Sequence, residues 1–134
     1  MQKLVWKDAY DIGIQVIDDQ HKMLINIIND LYAANASGSA HLVMESIFKQ
    51  LADYVHYHFS TEEDMFQQYG YPGAQAHIAE HDEFRDKIKN LQGENRSGNI
   101  ILSLKTIDYL KDWTINHILG TDREFSNFIK SVEL

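Results

Sequence analysis

The sequence predicts an all-α protein: an up-down-up-down antiparallel four-helix bundle with an irregular N-terminal arm and a short C-terminal helical tail. Apolar residues recur at steps of three and four along most of the chain, without the alternation that is typical of strands. Proline occurs once, at Pro72, which permits long helices. Glycines separate four periodic segments, and short connections between helices make neighbouring helices antiparallel.

The periodicity and the glycine positions define each predicted element. Residues 1–17 lack helical periodicity and form the arm. Pro72 falls where the first turn of the third helix would begin, a position that tolerates proline. The length of 134 residues suits one domain, which would span residues 1–134. The predicted helices cover residues 18–36, 40–68, 72–92 and 99–119, and the tail covers residues 122–132.

Composition restricts the kinds of site that the chain can build. Cysteine is absent, which excludes disulfides, thiolate nucleophiles, iron–sulfur clusters and zinc ribbons, so a bound metal must use nitrogen and oxygen ligands. The formal net charge of −8 disfavours nucleic acid and anionic membranes as partners. The N-terminal MQKLVWKD lacks the apolar run of a signal peptide, and no segment approaches the ~20 apolar residues of a membrane span. We therefore expect a cytoplasmic protein that binds neither nucleic acid nor membranes.

Polar residues occupy positions on the apolar stripes of the predicted helices. His58 and Glu62 are four residues apart, as are His77 and His81, and this spacing places both side chains on one helix face. A buried ionisable group is costly unless it is paired or bound to a metal. A single inward histidine is most simply a hydrogen-bonded core residue, but five neutral imidazoles buried together would lack hydrogen-bond acceptors.

The bundle topology brings these polar positions to one end. His21 lies near the start of the first helix, and His117 lies near the end of the fourth. His117 and Asp122 are five residues apart, which does not fit one helix face, so we expect a break at Gly120 that lets Asp122 fold back. The off-stripe His41 and His56 receive no role. The converging side chains are His21, His58, Glu62, His77, His81, His117 and Asp122.

Seven nitrogen and oxygen ligands exceed the needs of one octahedral ion, so the cluster predicts two metals. Two bridging carboxylates and five terminal imidazoles would supply nine metal–ligand bonds, and a bridging oxygen would add two. Two octahedral ions need twelve, so one position stays open for a small molecule. This donor set suits iron, and zinc, manganese and cobalt also accept these residue types.

At these residues the sequence resembles the hemerythrin family, specifically the single-domain bacterial hemerythrins (bacteriohemerythrins). The resemblance covers nearly the whole chain, and its specific part is the order His, HxxxE, HxxxH and HxxxxD. The segments that carry it are WKDAYDIGIQVIDDQH at 6–21, HFSTEE at 58–63, GYPGAQAHIAEH at 70–81 and WTINHILGTD at 113–122.

The resemblance implies a non-haem di-iron centre that binds O2 reversibly, in a binding protein rather than an enzyme. It implies two iron ions that cycle between Fe2+ and Fe3+, with a bridging hydroxide or oxide. The implied roles are oxygen transport, storage or delivery. The family pattern assigns His77, His81 and His117 to a saturated iron, His21 and His58 to the iron with the open position, and Glu62 and Asp122 to the bridges.

One residue departs from the family pattern. Three positions before His117, next to Trp113, the family usually has an aliphatic residue, and here it is Thr114. We expect Trp113 and Thr114 to lie at the ligand pocket and the Thr114 hydroxyl to promote oxidation of the iron. The alternative is that this hydroxyl bonds to a helix carbonyl and never meets the ligand.

Other functions are compatible with parts of the pattern. The same centre would serve a redox or O2- and NO-reactive protein, such as a sensor or a protein that removes peroxide or nitric oxide. The residues from His77 to His81 also fit the HxxEH signature of inverted zinc proteases, although Glu80 lies about 100° round the helix from His81. His81 followed by Asp82 occurs in HD-type phosphohydrolases, and a bundle without metal is the remaining alternative.

Overall fold

The computed structural model describes residues 4–96 and 102–132, and secondary structure in these ranges is exclusively helical. Helix α1 packs against α2 and α4, and α3 packs against the same two helices, which confirms the predicted four-helix bundle. No helix within the described ranges is both long and apolar enough to cross a membrane. The α-helices are α1 (Gln15–Ala36), α2 (Ala40–Tyr69), α3 (Ala74–Arg96), α4 (Leu102–Asn116) and α5 (Arg123–Val132).

The predicted boundaries agree with these helices to within a few residues where they can be compared. The predicted start of the fourth helix, residue 99, lies outside the described residues, as does the side chain of His41. The third helix continues to Arg96 instead of ending at residue 92. Gly93 lies inside that helix without a positive φ, because a helix accepts one glycine at a cost of about 1 kcal/mol.

The turn before α3 differs from the prediction that placed Pro72 in the first helical turn. Helix α2 ends at Tyr69, and the left-handed φ of 63° at Gly70 lets the N–H of Tyr71 donate to the carbonyl of Phe66 at 3.0 Å. The N–H of His77 donates to the carbonyl of Gly73, so the helical bonds begin only after Pro72. The proline belongs to the turn and not to the helix.

The N-terminal arm crosses the end of the bundle where α1 begins. The arm is not wholly irregular, since Asp8–Tyr10 form a 3-10 turn, and α1 begins three residues before its predicted start. The buried carboxylate of Asp18 accepts the backbone N–H groups of Ile12 and Gly13, at 2.9 and 3.1 Å. Ser126 of α5 donates to the carbonyl of Ile12. These bonds tie the arm to both α1 and α5.

The predicted break at Gly120 is wrong. Helix α4 passes directly into a π-helical segment, His117–Asp122, and α5 follows without interruption. Gly120 has no positive φ. Because a π-helix closes each turn between residues five apart, its wider turn places His117 and Asp122 on the same face. The five-residue spacing that an α-helix cannot accommodate is thus accommodated by a change of helix type.

Two apolar clusters lie along the bundle on either side of the polar positions. One contains Leu24 and Tyr54 and continues toward the far end of the bundle. The other contains Ile17 and Phe66, together with residues of the arm and α5. Ile17 and Leu24 flank His21 by about one helical turn on each side. The polar side chains therefore form a layer between two apolar cores.

Candidate metal centre

All seven predicted side chains meet in one buried cluster. None exposes more than 1% of its surface. Their potential ligand atoms form two groups, and within each group the atoms lie within 4.8 Å of one another. The three-histidine group contains Glu62, His77, His81 and His117, and the two-histidine group contains His21, His58 and Asp122.

The two carboxylates each contact histidines of both groups. Glu62 Oε1 lies 2.8 Å from His58 Nε2 and 3.4 Å from His81 Nε2. Asp122 Oδ2 lies 2.6 Å from His21 Nε2, while its Oδ1 lies 2.9 Å from His77 Nε2. Each carboxylate is therefore positioned between two sets of imidazoles, as a bridging ligand requires.

Several of these atoms approach one another without forming hydrogen bonds. Among the described residues, no hydrogen-bond partner is found for Nε2 of His58 and His81, for both carboxylate oxygens of Glu62 or for Oδ1 of Asp122. The 2.8 Å contact between His58 and Glu62 lacks hydrogen-bond geometry. A buried polar atom left unpaired costs about 1–3 kcal/mol. Unpaired nitrogen and oxygen atoms that converge in this way fit a pair of cations such as iron.

Comparison with known proteins identifies the family. Residues 12–129 match the family described as the hemerythrin HHE cation binding domain. The chain belongs to the hemerythrin family. It is 34% identical over 132 residues to a bacteriohemerythrin of Stenotrophomonas maltophilia, covering 98% of this chain and 84% of the relative. A bacteriohemerythrin of Methylococcus capsulatus is 32% identical, with 92% of this chain and 94% of the relative covered.

Solved hemerythrin structures have the same fold. A crystal structure of wild-type hemerythrin, 30% identical, matches with a TM-score of 0.84 over 94% of this chain and 97% of that chain. An alanine variant of hemerythrin matches with a TM-score of 0.85 at 30% identity, over 96% and 98% of the two chains. The predicted resemblance to the hemerythrin family is confirmed.

The two carboxylates of this hemerythrin cluster differ in proton affinity. Burial raises the pKa of Glu62 well above its ordinary value, and the neighbouring charge of Asp122 raises it further. Burial acts the same way on Asp122, but the charge on His117 and contacts with the imidazoles outweigh it, and its pKa is well below the usual range. Burial lowers the pKa of His117, but Asp122 and then Glu80 outweigh it and raise that pKa to about 9. Burial lowers the pKa of His58 and of His81. Metal binding at neutral pH must therefore displace a proton from His117.

Three polar residues contact the histidines from outside the cluster of seven side chains. The sequence pattern does not predict them as partners of the imidazoles. Gln20 Oε1 lies 2.7 Å from His58 Nδ1. Glu63 Oε2 lies 2.9 Å from His81 Nδ1. A proton on Nδ1 that donates to such an acceptor leaves Nε2 free to bind a metal.

Glu80 is the third of these outer partners. Its Oε1 lies 3.1 Å from His117 Nδ1, and the hydroxyl of Thr121 donates to the same carboxylate at 2.7 Å. The hydrogen bond from His117 and then that from Thr121 lower the pKa of Glu80. Its carboxylate is therefore engaged on the outer side of His117, which argues against the general-base role of the inverted zinc-protease interpretation. Asp82 is exposed and pairs with Arg85, so the phosphohydrolase interpretation also lacks its second ligand.

Each outer partner is adjacent in sequence to a cluster residue but bonds to a histidine of the following helix. Gln20 precedes His21 on α1 and contacts α2, and Glu63 follows Glu62 on α2 and contacts α3. Glu80 precedes His81 on α3 and contacts the π-helical segment. Adjacency to a predicted metal ligand is the only signal in the sequence, and it does not reveal which helix the side chain reaches.

Aromatic rings stack on two of the imidazoles. Phe59 stacks on His81 with ring centroids 3.8 Å apart and planes at 4°. Trp113 stacks on His117 at 4.2 Å and 13°. These contacts restrict ring rotation and keep water from the cluster. Trp113 also contacts the rings of Phe84 and Phe59, and its placement at the ligand pocket stays a prediction.

Thr114 is buried one helical turn before His117. Its hydroxyl has no hydrogen-bond partner among the described residues. The alternative in which this hydroxyl bonds to a helix carbonyl is therefore wrong. His56, which received no role, is exposed on α2.

Proposed function

We propose that this chain is a hemerythrin that binds O2 reversibly at a non-haem di-iron centre and serves as an oxygen carrier or store, or in oxygen delivery, rather than as an enzyme. The observation that carries the proposal is the buried cluster in which Glu62 and Asp122 each contact histidines of both groups. When bound, the iron pair with its bridging hydroxide or oxide supplies the electrons for O2 binding.

The proposed ligands follow the two groups of the cluster. The two carboxylates bridge, because each touches both sets of imidazoles. Five neutral imidazoles and only two carboxylates keep the negative charge of the donor set low, and a low negative charge disfavours the permanently ferric state. The proposed assignment is His77, His81 and His117 for one iron, His21 and His58 for the iron with an open position, and Glu62 and Asp122 for the bridges.

The residues around the cluster exclude bulk water from it. A layer one helical turn deeper than the histidines is formed by Leu24, Tyr54, Phe84 and Thr114, none of which exposes more than 1% of its surface. The arm and α5 cover the other side through the second apolar cluster. Surroundings that exclude water in this way slow the water-assisted oxidation of the iron that would otherwise end O2 binding.

Two hydroxyls in the deeper layer favour a second candidate function, a redox or O2- and NO-reactive protein that senses, or that removes peroxide or nitric oxide. The hydroxyls of Tyr54 and Thr114 are buried without hydrogen-bond partners among the described residues. Burial and the nearby carboxylates raise the pKa of Tyr54 well above its ordinary value, so its hydroxyl keeps its proton. A buried proton donor one helical turn from the histidines favours chemical reaction of bound O2 over its reversible release.

An optical experiment distinguishes the two candidates. The iron-loaded protein is reduced without oxygen, exposed to air and then flushed with argon. A visible charge-transfer band that appears with O2 and disappears on flushing supports the carrier. A band that does not reverse supports the reactive protein, and bound iron without any band would contradict both.

A matched pair of variants ties that band to the cluster. His58→Ala removes a proposed ligand, and His56→Ala removes the exposed histidine two residues earlier on the same helix. We expect the band to be lost only in His58→Ala while circular dichroism shows both variants folded. Loss of the band in both variants would show that the band does not depend specifically on the cluster.

A further inference from the structure

The outer partners of the histidines are distributed unequally between the two groups. In the three-histidine group, His81 and His117 each face a carboxylate, that of Glu63 and that of Glu80. In the two-histidine group, His58 faces the neutral amide oxygen of Gln20. The Nδ1 atoms of His21 in this group and of His77 in the three-histidine group have no hydrogen-bond partner among the described residues. One group is thus supported by two carboxylates and the other by none.

This difference has a direct consequence for the donor strength of the imidazoles. A carboxylate that accepts the Nδ1 proton draws it away from the ring and increases electron density at Nε2, the atom that faces the cluster. An amide oxygen fixes the ring in the same tautomer but carries no charge. The Nε2 atoms of His81 and His117 are therefore stronger donors than that of His58.

Both carboxylates are fixed in place by further contacts. Arg85 donates to Glu63 Oε2 at 2.9 Å and to Asp82 at 2.7 Å, and its guanidinium lies 4.9 Å from the centre of the Phe59 ring. Thr121, on the π-helical segment, donates to Glu80. Gln20 is also oriented, since its amide donates to the Thr61 hydroxyl at 3.1 Å. The difference between the groups therefore lies in charge and not in how well the partners are held.

We propose that Glu63 and Glu80 are positioning residues that make the two metal positions unequal, so that the three-histidine position fills first and retains its ion longer. This inference rests on the proposed two-metal centre and concerns the order in which it assembles. It predicts a stable intermediate that holds one divalent cation, bound by Glu62, His77, His81 and His117.

Titration of the metal-free protein with Zn2+ tests the proposal without any dependence on O2. Calorimetry of the parent should resolve two binding steps of different affinity. Replacement of a residue that orients a metal ligand typically costs 10- to 100-fold in affinity. Glu63→Gln and Glu80→Gln should each weaken the first step about tenfold and leave the second nearly unchanged. Gln20→Glu should strengthen the second step and reduce the difference between the two.

A matched control removes the same charge without touching an imidazole. Asp64 is exposed and follows Glu63 on α2, so Asp64→Asn should leave both steps as in the parent. Two Zn2+ binding steps of equal affinity in the parent would overturn the proposal. Equal weakening of both steps in Glu63→Gln and Asp64→Asn would also overturn it, because the effect would then be one of general charge.

The position that fills first is identified by anomalous scattering from crystals of the protein loaded with one equivalent of Co2+. A cobalt peak among His77, His81 and His117 is expected, and a peak between His21 and His58 would overturn the proposal. The optical O2 experiment reports separately on the proposed function. A reversible band with two equal zinc steps would reject only this inference, and unequal steps without a band would reject only the O2 function.

Discussion

Without a bound metal, the stability of the protein should depend strongly on pH above neutrality. In the metal-free cluster His117 is 1% exposed beside Asp122, and its pKa is raised to about 9 in the folded protein. In the unfolded chain an ordinary histidine titrates near 6.5. A group whose pKa is raised on folding stabilises the folded state below its unfolded pKa, and that stabilisation is lost as the pH rises through the folded pKa.

The size of the effect follows from the difference between the two pKa values. About 2.5 pKa units at about 1.4 kcal/mol each correspond to roughly 3 kcal/mol, lost between pH 6.5 and 9. Glu62 acts in the same direction, because its pKa is also raised on folding. His58 and His81 have lowered pKa values, so their contribution is present above pH 6.5 and is lost below it. The metal-free protein should therefore be most stable near pH 6.5.

Urea denaturation of the metal-free protein at a series of pH values between 6 and 9.5 measures this dependence. The slope of the unfolding free energy against pH should show that the folded state binds at least one more proton than the unfolded chain. His117→Gln should reduce this difference by about one proton. The exposed His56→Gln provides the matched control and should keep the slope of the parent. The reasoning would be refuted if the metal-free parent were equally stable, or more stable, at pH 9 than at pH 6.5.

Three further substitutions test separate parts of the structure. Gly120→Ala should lower the free energy of unfolding by less than 1 kcal/mol or raise it, because the added Cβ meets no atom within 4 Å and φ is not positive. A larger loss of stability in thermal denaturation would favour the predicted break at Gly120. Asp18→Ala should cost about 2 kcal/mol, since two backbone N–H groups of the arm lose their acceptor, whereas the exposed Asp19→Ala should cost much less. Thr114→Leu should slow the oxidation of the O2-loaded protein by removing a buried hydroxyl, and an unchanged decay of its visible band would count against a role for that hydroxyl.

The positions of the helices were predictable because they follow from local patterns. Apolar residues at steps of three and four define a helix face whatever the rest of the chain does. Two histidine-containing pairs at four-residue spacing, on α2 and α3, necessarily point to the same sides of their helices. Short connections then left an antiparallel bundle as the simplest arrangement, and that arrangement brings His21 and His117 to the same end.

Local patterns failed where one residue type is compatible with two backbone conformations. The sequence pattern predicts interruptions at Gly93 and Gly120, yet both residues lie inside continuous helical structure. Glycine lowers the stability of a helix by only about 1 kcal/mol, so packing of the surrounding turns decides the outcome. Pro72 was misplaced for a related reason, since the turn and the first helical position both accept proline.

The sequence by itself determined which side chains enter the core, because helical period and residue polarity are properties of each segment alone. Only the tertiary structure decided the helix type at His117–Asp122, where the wider turn lets both side chains reach the same cluster. It also decided that Gln20, Glu63 and Glu80 each hold a histidine on another helix. Such contacts depend on the rotation and separation of two helices, and no spacing within one segment encodes them.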